Sequence, residues 1–290
     1  MRSAARALVR ALLLSSVGTT GVLAQSSSDI LNRMMKSYEQ RIAGVDNYTL
    51  VQDAVGVETT QYFVKEMVNG RPVFRLSKSI VGGMMIDQET PEESWDTFYA
   101  RADEIAQHVR YEGRDNVNGH SVHVLVVDDP ESIDFDGMMN ASPEEQDEED
   151  FRAEKMTMFV DRDLLVMRRM VVDGQMTHEG ETHPVTSTVD LDDYRDINGM
   201  LYPFRTSVTM EGMAEAMGMT DDDMAEMREQ LEEAKRQMDQ MPEAQRAMME
   251  KMLKQQMEQM EKMMQDQGGG GMQVEVLVKD LRVNSGPPSN

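Results

Sequence analysis

"VRYEGRDNVNGHSVHVLVVD", residues 109–128, reads as a strand, a tight turn and a second strand. Asn118-Gly119 is the turn, and an Asn-Gly pair between apolar runs is a strong short-range hairpin signal. Val122, Val124 and Val126 fall on one side of the second strand by the period-two rule. The same pattern recurs on both sides of this stretch. Upstream, "YTLVQDAVGV" and "TTQYFVKEMV" are β-like, and Asn69-Gly70 turns the second into "PVFRLSK". Downstream, "KMTMFVD", "LLVMRRMVVD", "THPVTSTVDLDD" and "MLYPFRTSVTM" are separated by Asp161-Arg162-Asp163, Gly174, Gly180 and Asn198-Gly199. The last run is "MQVEVLVKDLRVN". About eleven strands at hairpin spacing predict a meandering antiparallel sheet.

Two helices flank the early strands. Ser28 is placed to cap a helix whose apolar positions Ile30, Leu31, Met34, Tyr38 and Ile42 recur at helical spacing, with Gly44 at its end. In "ETPEESWDTFYARADEIAQH", Thr90, Pro91 and Glu93 form a helix start. Trp95, Phe98, Tyr99 and Ala102 share one face of that helix, which turns the single tryptophan of the chain inward.

The first residues are read as a leader rather than as fold. Arg2, Arg6 and Arg10 precede an apolar run from Ala11 to Leu23, and Val22-Leu23-Ala24 fits a cleavage site. A secretory signal peptide over residues 1–24 is expected, the run being short for a membrane span. The 290 residues include no cysteine, which excludes disulfides, thiolate metal sites and a cysteine nucleophile. A soluble periplasmic protein is expected.

The formal charge is −24, and loss of the three leader arginines leaves 26 Lys+Arg against 53 Asp+Glu, a net of −27. Such a surface repels phosphate backbones, so nucleic acid is excluded as a partner.

A methionine-rich stretch interrupts the β pattern. Of 30 methionines, sixteen fall between Met210 and Met272. Thr220 and the aspartates after it make a charged helix start. Met224, Met227, Leu231, Ala234, Met238 and Met241 then step at heptad-like spacing. Pro242 breaks the run, and Met249, Leu253, Met257, Met260 and Met264 line a second helix before Gly268–Gly271. A helical hairpin inserted over 213–271 is expected, dividing an open-barrel domain of residues 25–212 and 272–290. Three readings of its methionines stand: self-packing or docking on the barrel, an adaptable apolar surface, or soft Cu(I) ligation.

"VRYEGRDNVNGHSVHVLVVD", "MFVDRDLLVMRRMVV" and "DLDDYRDINGMLYPFR" resemble, in order and spacing, periplasmic proteins of the LolA/LolB-like lipoprotein-carrier fold. The later turn carries Asp193-Tyr194, Gly199 and Pro203. The resemblance covers roughly residues 28–212 and 272–284; the 210–272 excursion departs from its usual pattern. It implies a mainly β fold with some α: an unclosed antiparallel barrel of about eleven strands, helices against its open side, and a cavity for acyl chains between them.

Catalytic chemistry finds no foothold. His120 and His123 lie three apart on a strand and face opposite sides. "HEGETH", His178 to His183, has one residue too many for a zinc-protease motif and reads as a surface hairpin, with His178 across from His183. "DFDG" at Asp134–Gly137 fails the EF-hand frame at Ser132 and Pro143. Neither nucleophile elbow nor phosphate loop is present.

The expected function is therefore a non-enzymatic periplasmic carrier or binding protein, without cofactor or metal, for a lipid, an acylated protein or another apolar ligand. The alternative is an envelope interaction or metal-responsive protein whose hairpin binds a partner or Cu(I). Side-chain direction nominates Tyr62, Val64, Phe74 and Trp95 for the cavity, with Phe98, Tyr111, Val124 and Phe204. Met224, Met227, Met238, Met249, Met257, Met260 and Met264 are nominated for the hairpin surface.

Overall fold

The computed structural model describes residues 26–54, 56–68, 70–81, 84–86, 102–133, 150–178, 180–216, 218 and 272–288. The leader, Trp95, Phe98, the acidic stretch with Asp134–Gly137, and Met224 to Met264 lie outside the described residues.

Helix α1 (Ser27–Arg41) opens the described chain, and Ser26 rather than Ser28 caps it, its hydroxyl accepting from the Asp29 N–H at 3.1 Å. Strands β1 (Asn47–Ala54), β2 (Val57–Val68), β3 (Arg71–Val81) and β4 (Met84–Ile86) follow as hairpins. Helix α2 (Ala102–His108) leads into β5 (Val109–Val117) and β6 (His120–Val127), the hairpin on which the sequence reading turns. Strands β7 (Asp150–Asp161), β8 (Met167–His178), β9 (Glu181–Ile197) and β10 (Met200–Glu211) continue the meander. A helical turn, α3 (Met213–Ala216), and strand β11 (Met272–Val283) complete it.

All eleven strands belong to one sheet, in the order β4-β3-β2-β1-β11-β10-β9-β8-β7-β6-β5. Every pairing is antiparallel. Only β11 departs from chain order, lying between β1 and β10 and joining a four-strand meander to a six-strand one. Among the described residues β4 and β5 are not paired to each other, so the barrel is unclosed.

The turns explain the registers. Asn118 and Gly119 have φ of 51° and 85°, and Asn198 and Gly199 have 54° and 92°. Two successive positive-φ residues give a turn whose twist matches that of its strands. Gly174 is different. Expected as a turn, it lies inside β8, which runs on to His178 and turns at Gly180. A Cβ at Gly174 would sit 2.4 Å from the Arg152 carbonyl oxygen and 2.7 Å from the Phe151 ring, so glycine there permits a close approach of β7.

The core lies on one face of the sheet, under α1. Ile30, Leu31, Met34, Tyr38 and Ile42, the expected helix face, are all buried. They meet Leu50, Phe63, Phe74, Leu125, Met156, Met158 and Tyr202 in one cluster. Tyr48 sits within it, stacked on Phe63 at 4.7 Å and edge-on to Phe74 at 4.9 Å. Polar ties fix the helix at both ends. Ser27 Oγ donates to the Val109 carbonyl at 2.8 Å, and Arg41 donates to the Leu164 carbonyl in the β7–β8 turn. Arg71 on β3 bridges α1 and α2 through Glu39 and Asp103.

Candidate functional site

Alternation divides the sheet into the face that carries α1 and the face turned away from it. On the α1 face the packed core occupies only part of the sheet. Beyond it Val189 and Leu191 on β9, Thr206 and Val208 on β10, Val274, Val276 and Val278 on β11 and Gln52 on β1 face the same way and are half-buried rather than buried. Thr206 and Val208 continue the line of Tyr202 and Phe204 along β10. They pair with Leu191 and Val189 on one side and with Val276 and Val274 on the other. Gln52 on β1 faces Val278 across the ladder and donates to Gln61 Oε1 at 3.2 Å. Thr59, paired with Gln52, has a buried hydroxyl with no hydrogen-bond partner.

The far end of this surface is bounded by α3. Met176 and Val185 are buried beneath Ala216, with Met213 against them. The chain doubles back here at Gly212, whose φ is 80° and where a Cβ would lie 2.2 Å from the Pro184 carbonyl oxygen. Helix α3, at the start of the expected insertion, packs on the sheet. The strip of Val, Thr and Leu between the α1 core and α3 is called the trough below. From Phe204 to Met210 it runs about 20 Å at the usual strand rise. Its chemistry is apolar contact with scattered amide and hydroxyl groups, which suits a hydrocarbon chain carrying few polar atoms.

The nominated residues divide between the two faces. Phe74 and Phe204 are buried together in the core at the α1 end, with Arg195 stacked over the Phe204 ring at 4.3 Å. Tyr111 packs at the core margin. Tyr62 and Val64 pair with Thr49 and Asn47, whereas Phe63 pairs with the core residue Tyr48, so both lie on the opposite face from the trough. Val124 also faces away, in an open groove of about 480 Å³ with Phe159 and Val171, rimmed by Glu112, Arg114, Asp115, Lys155 and Asp173. The trough residues themselves went unnominated. Their signal was the alternation of valine and threonine along β10 and β11, which carries no aromatic marker.

The histidines divide as alternation predicts. His123 is 2% exposed on the α1 face, and His120 lies beside Asp161 and Arg168 on the other. In the β8–β9 hairpin His178 pairs with Glu181 and His183 with Met176, which corrects the expected pairing of the two histidines.

No protein-family model matches the chain, and neither does any curated protein. Among solved structures it is similar to an outer membrane lipoprotein-sorting protein domain from Vibrio parahaemolyticus, at 8% identity and a TM-score of 0.35, over 90% of this chain and 96% of that one. A DUF1329 family protein from Desulfovibrio piger is similar at 10% identity and a TM-score of 0.36, over 90% of this chain and 93% of its own. The lipoprotein LppX of Mycobacterium tuberculosis is similar at 12% identity and a TM-score of 0.25, over 51% and 90%. At these values the likenesses bear on nothing finer than fold, and the architecture rests on the strand order and registers. Among the described residues no helix is long and apolar enough to cross a membrane.

Proposed function

We infer that the protein is a non-enzymatic carrier or binding protein whose trough between α1 and α3 takes an apolar ligand: a lipid, the acyl part of an acylated protein, or a molecule of like chemistry. The half-buried strip of Leu191, Val189, Thr206, Val208 and Val276 carries this reading. A folded chain gains by burying such surface, and each methylene laid on it contributes about 0.8 kcal/mol. About ten buried methylenes supply roughly 8 kcal/mol before ordering costs, enough for useful affinity without any charged contact. The leader-like first residues support a periplasmic setting for this activity.

The test is uptake of a fluorescent fatty acid by delipidated protein. Val208→Glu puts a carboxylate on the trough floor and should weaken uptake at least tenfold. Val124→Glu, on the opposite face, should leave it unchanged. Absence of uptake by the unaltered protein, or equal uptake by Val208→Glu, would sink the assignment.

A further inference from the structure

Most arginines among the described residues of this acidic chain have a partner. Among the described residues Arg71, Arg75, Arg110, Arg168, Arg169, Arg195, Arg205 and Arg282 each hold a carboxylate. Arg41 holds a carbonyl, and Arg152 also has a partner. Three are left without a side-chain hydrogen bond or ion pair among the described residues: Arg33, Arg114 and Arg162. Two of them are backbone neighbours of His123 or of its strand, and the third stands on the helix over its face of the sheet. Arg114 is the cross-strand partner of His123 between β5 and β6. Arg162, just past β7, donates its backbone N–H to the Ser121 carbonyl at 3.1 Å, two residues before His123. Arg33 stands on α1, which covers this face of the sheet and is tied to β5 by the Ser27 bond to Val109.

His123 is unusual in its own right. It is 2% exposed, Tyr111 meets it edge-on at 5.8 Å, and its Nδ1 is buried with no hydrogen-bond partner. Burial first, and then Arg162, Arg33 and Arg114, hold its pKa below the ordinary histidine value. Among the described residues no carboxylate pairs with these three guanidiniums, and a buried ring nitrogen without a partner lies among the segments that carry them. Guanidinium forks match the oxygens of a phosphate or carboxylate, and charge-assisted bonds of this kind are among the stronger polar contacts.

We propose that Arg33, Arg114, Arg162 and His123 form an anion site, between α1 and the β5 edge of the sheet, for a phosphate-type group. It lies on β5 to β7, apart from the β8–β11 trough, so its occupancy does not depend on the apolar ligand. The phosphate is either a free ion or the head of a larger amphiphile.

Titration of the full chain with inorganic phosphate, followed through the His123 ring resonances by NMR, tests the site. Saturable shifts are expected. Arg114→Gln and Arg162→Gln should each weaken them about tenfold. Lys279→Gln, which removes a cation held by Asp53 and Glu58, should not. Dodecyl phosphate and dodecyl maltoside, both below micelle formation, identify the source. Tighter binding of dodecyl phosphate than of inorganic phosphate at His123 marks an amphiphile head, and equal binding marks a free anion; either supports the site. No saturable shift of His123 with either phosphate probe, or undiminished affinity in both arginine variants, overturns it. Fatty-acid uptake by the same protein reports separately on the trough.

Discussion

Asp161 and Arg168 are each about 4% exposed, and their side chains meet at 2.9 Å. Burial alone would raise the Asp161 pKa. The Leu164 and Asp163 N–H groups, each donating to Oδ1, and the Arg168 guanidinium outweigh it and hold the carboxyl below its usual range. Arg168 also lies over the Tyr194 ring at 4.9 Å, and Tyr194 in turn donates to the Met167 carbonyl at 2.6 Å. The cluster fastens the β7–β8 turn, onto which Arg41 anchors the end of α1. Removing one member strands the other, and a buried charge without its partner costs about 3–5 kcal/mol. Arg168→Ala is expected to lose that much in urea denaturation. The pH dependence has a definite sign. A carboxylate depressed by folding stabilises fully above its unfolded value, near 3.8, and that contribution fades as pH falls through the lower folded value. Asp161→Asn should therefore give a shallower loss of stability below about pH 4 than the unaltered protein shows. An equally steep acid limb in Asp161→Asn would place the acid sensitivity elsewhere.

Among the elements, legibility followed the special backbone positions. The Asn118-Gly119 and Asn198-Gly199 turns were readable because positive φ at two adjacent residues admits few residue types. The α1 face was readable because its apolar spacing allows one buried stripe. Gly174 was misread because a glycine marks either a turn or a close approach, and only the bulged β7 beside it decides between them. Alternation likewise separates two faces of a strand without saying which one is covered. Tyr62, Val64 and Val124 were nominated on that ambiguity. The placement of α3 was not legible at all, since it depends on Gly212 passing over Pro184, a contact between strands that only the fold brings together. Gly212→Ala tests how much that contact matters. Alanine must there adopt a φ of 80° and put its Cβ 2.2 Å from a backbone oxygen, so α3 has to lift. The expected result is a stability loss of about 1–3 kcal/mol, together with faster hydrogen exchange at Met176 and Val185. Unchanged exchange at those two residues would show that α3 does not depend on the turn.

At the scale of the whole molecule, the pairing of Met210 with Met272 decides what the methionine-rich segment is to the fold. β10 and β11 are antiparallel neighbours from Arg205↔Leu277 to Met210↔Met272, so they form a hairpin whose loop is the entire excursion. Closing a loop grows costly only slowly with length, by about 0.6 kcal/mol for each doubling. A long insertion at this position is therefore tolerated, and its removal should be tolerated too. We predict that replacing residues 219–271 with a short Gly-Asn linker leaves a cooperatively unfolding sheet whose denaturation midpoint is unchanged or slightly raised. Residues 26–218 and 272–288 contain α1, the core under it and both ends of the trough, so fatty-acid uptake should survive in the shortened chain. The competing assignment, in which the methionines grip a protein partner or Cu(I), predicts that Cu(I) or partner binding is present in the full chain and abolished in the shortened one, with no uptake in either form. Parallel measurement of fatty-acid uptake and Cu(I) binding in the full and shortened chains separates these cases. Loss of the folded sheet in the shortened chain would contradict the loop assignment itself, because it would make the methionine-rich segment a structural part of the barrel.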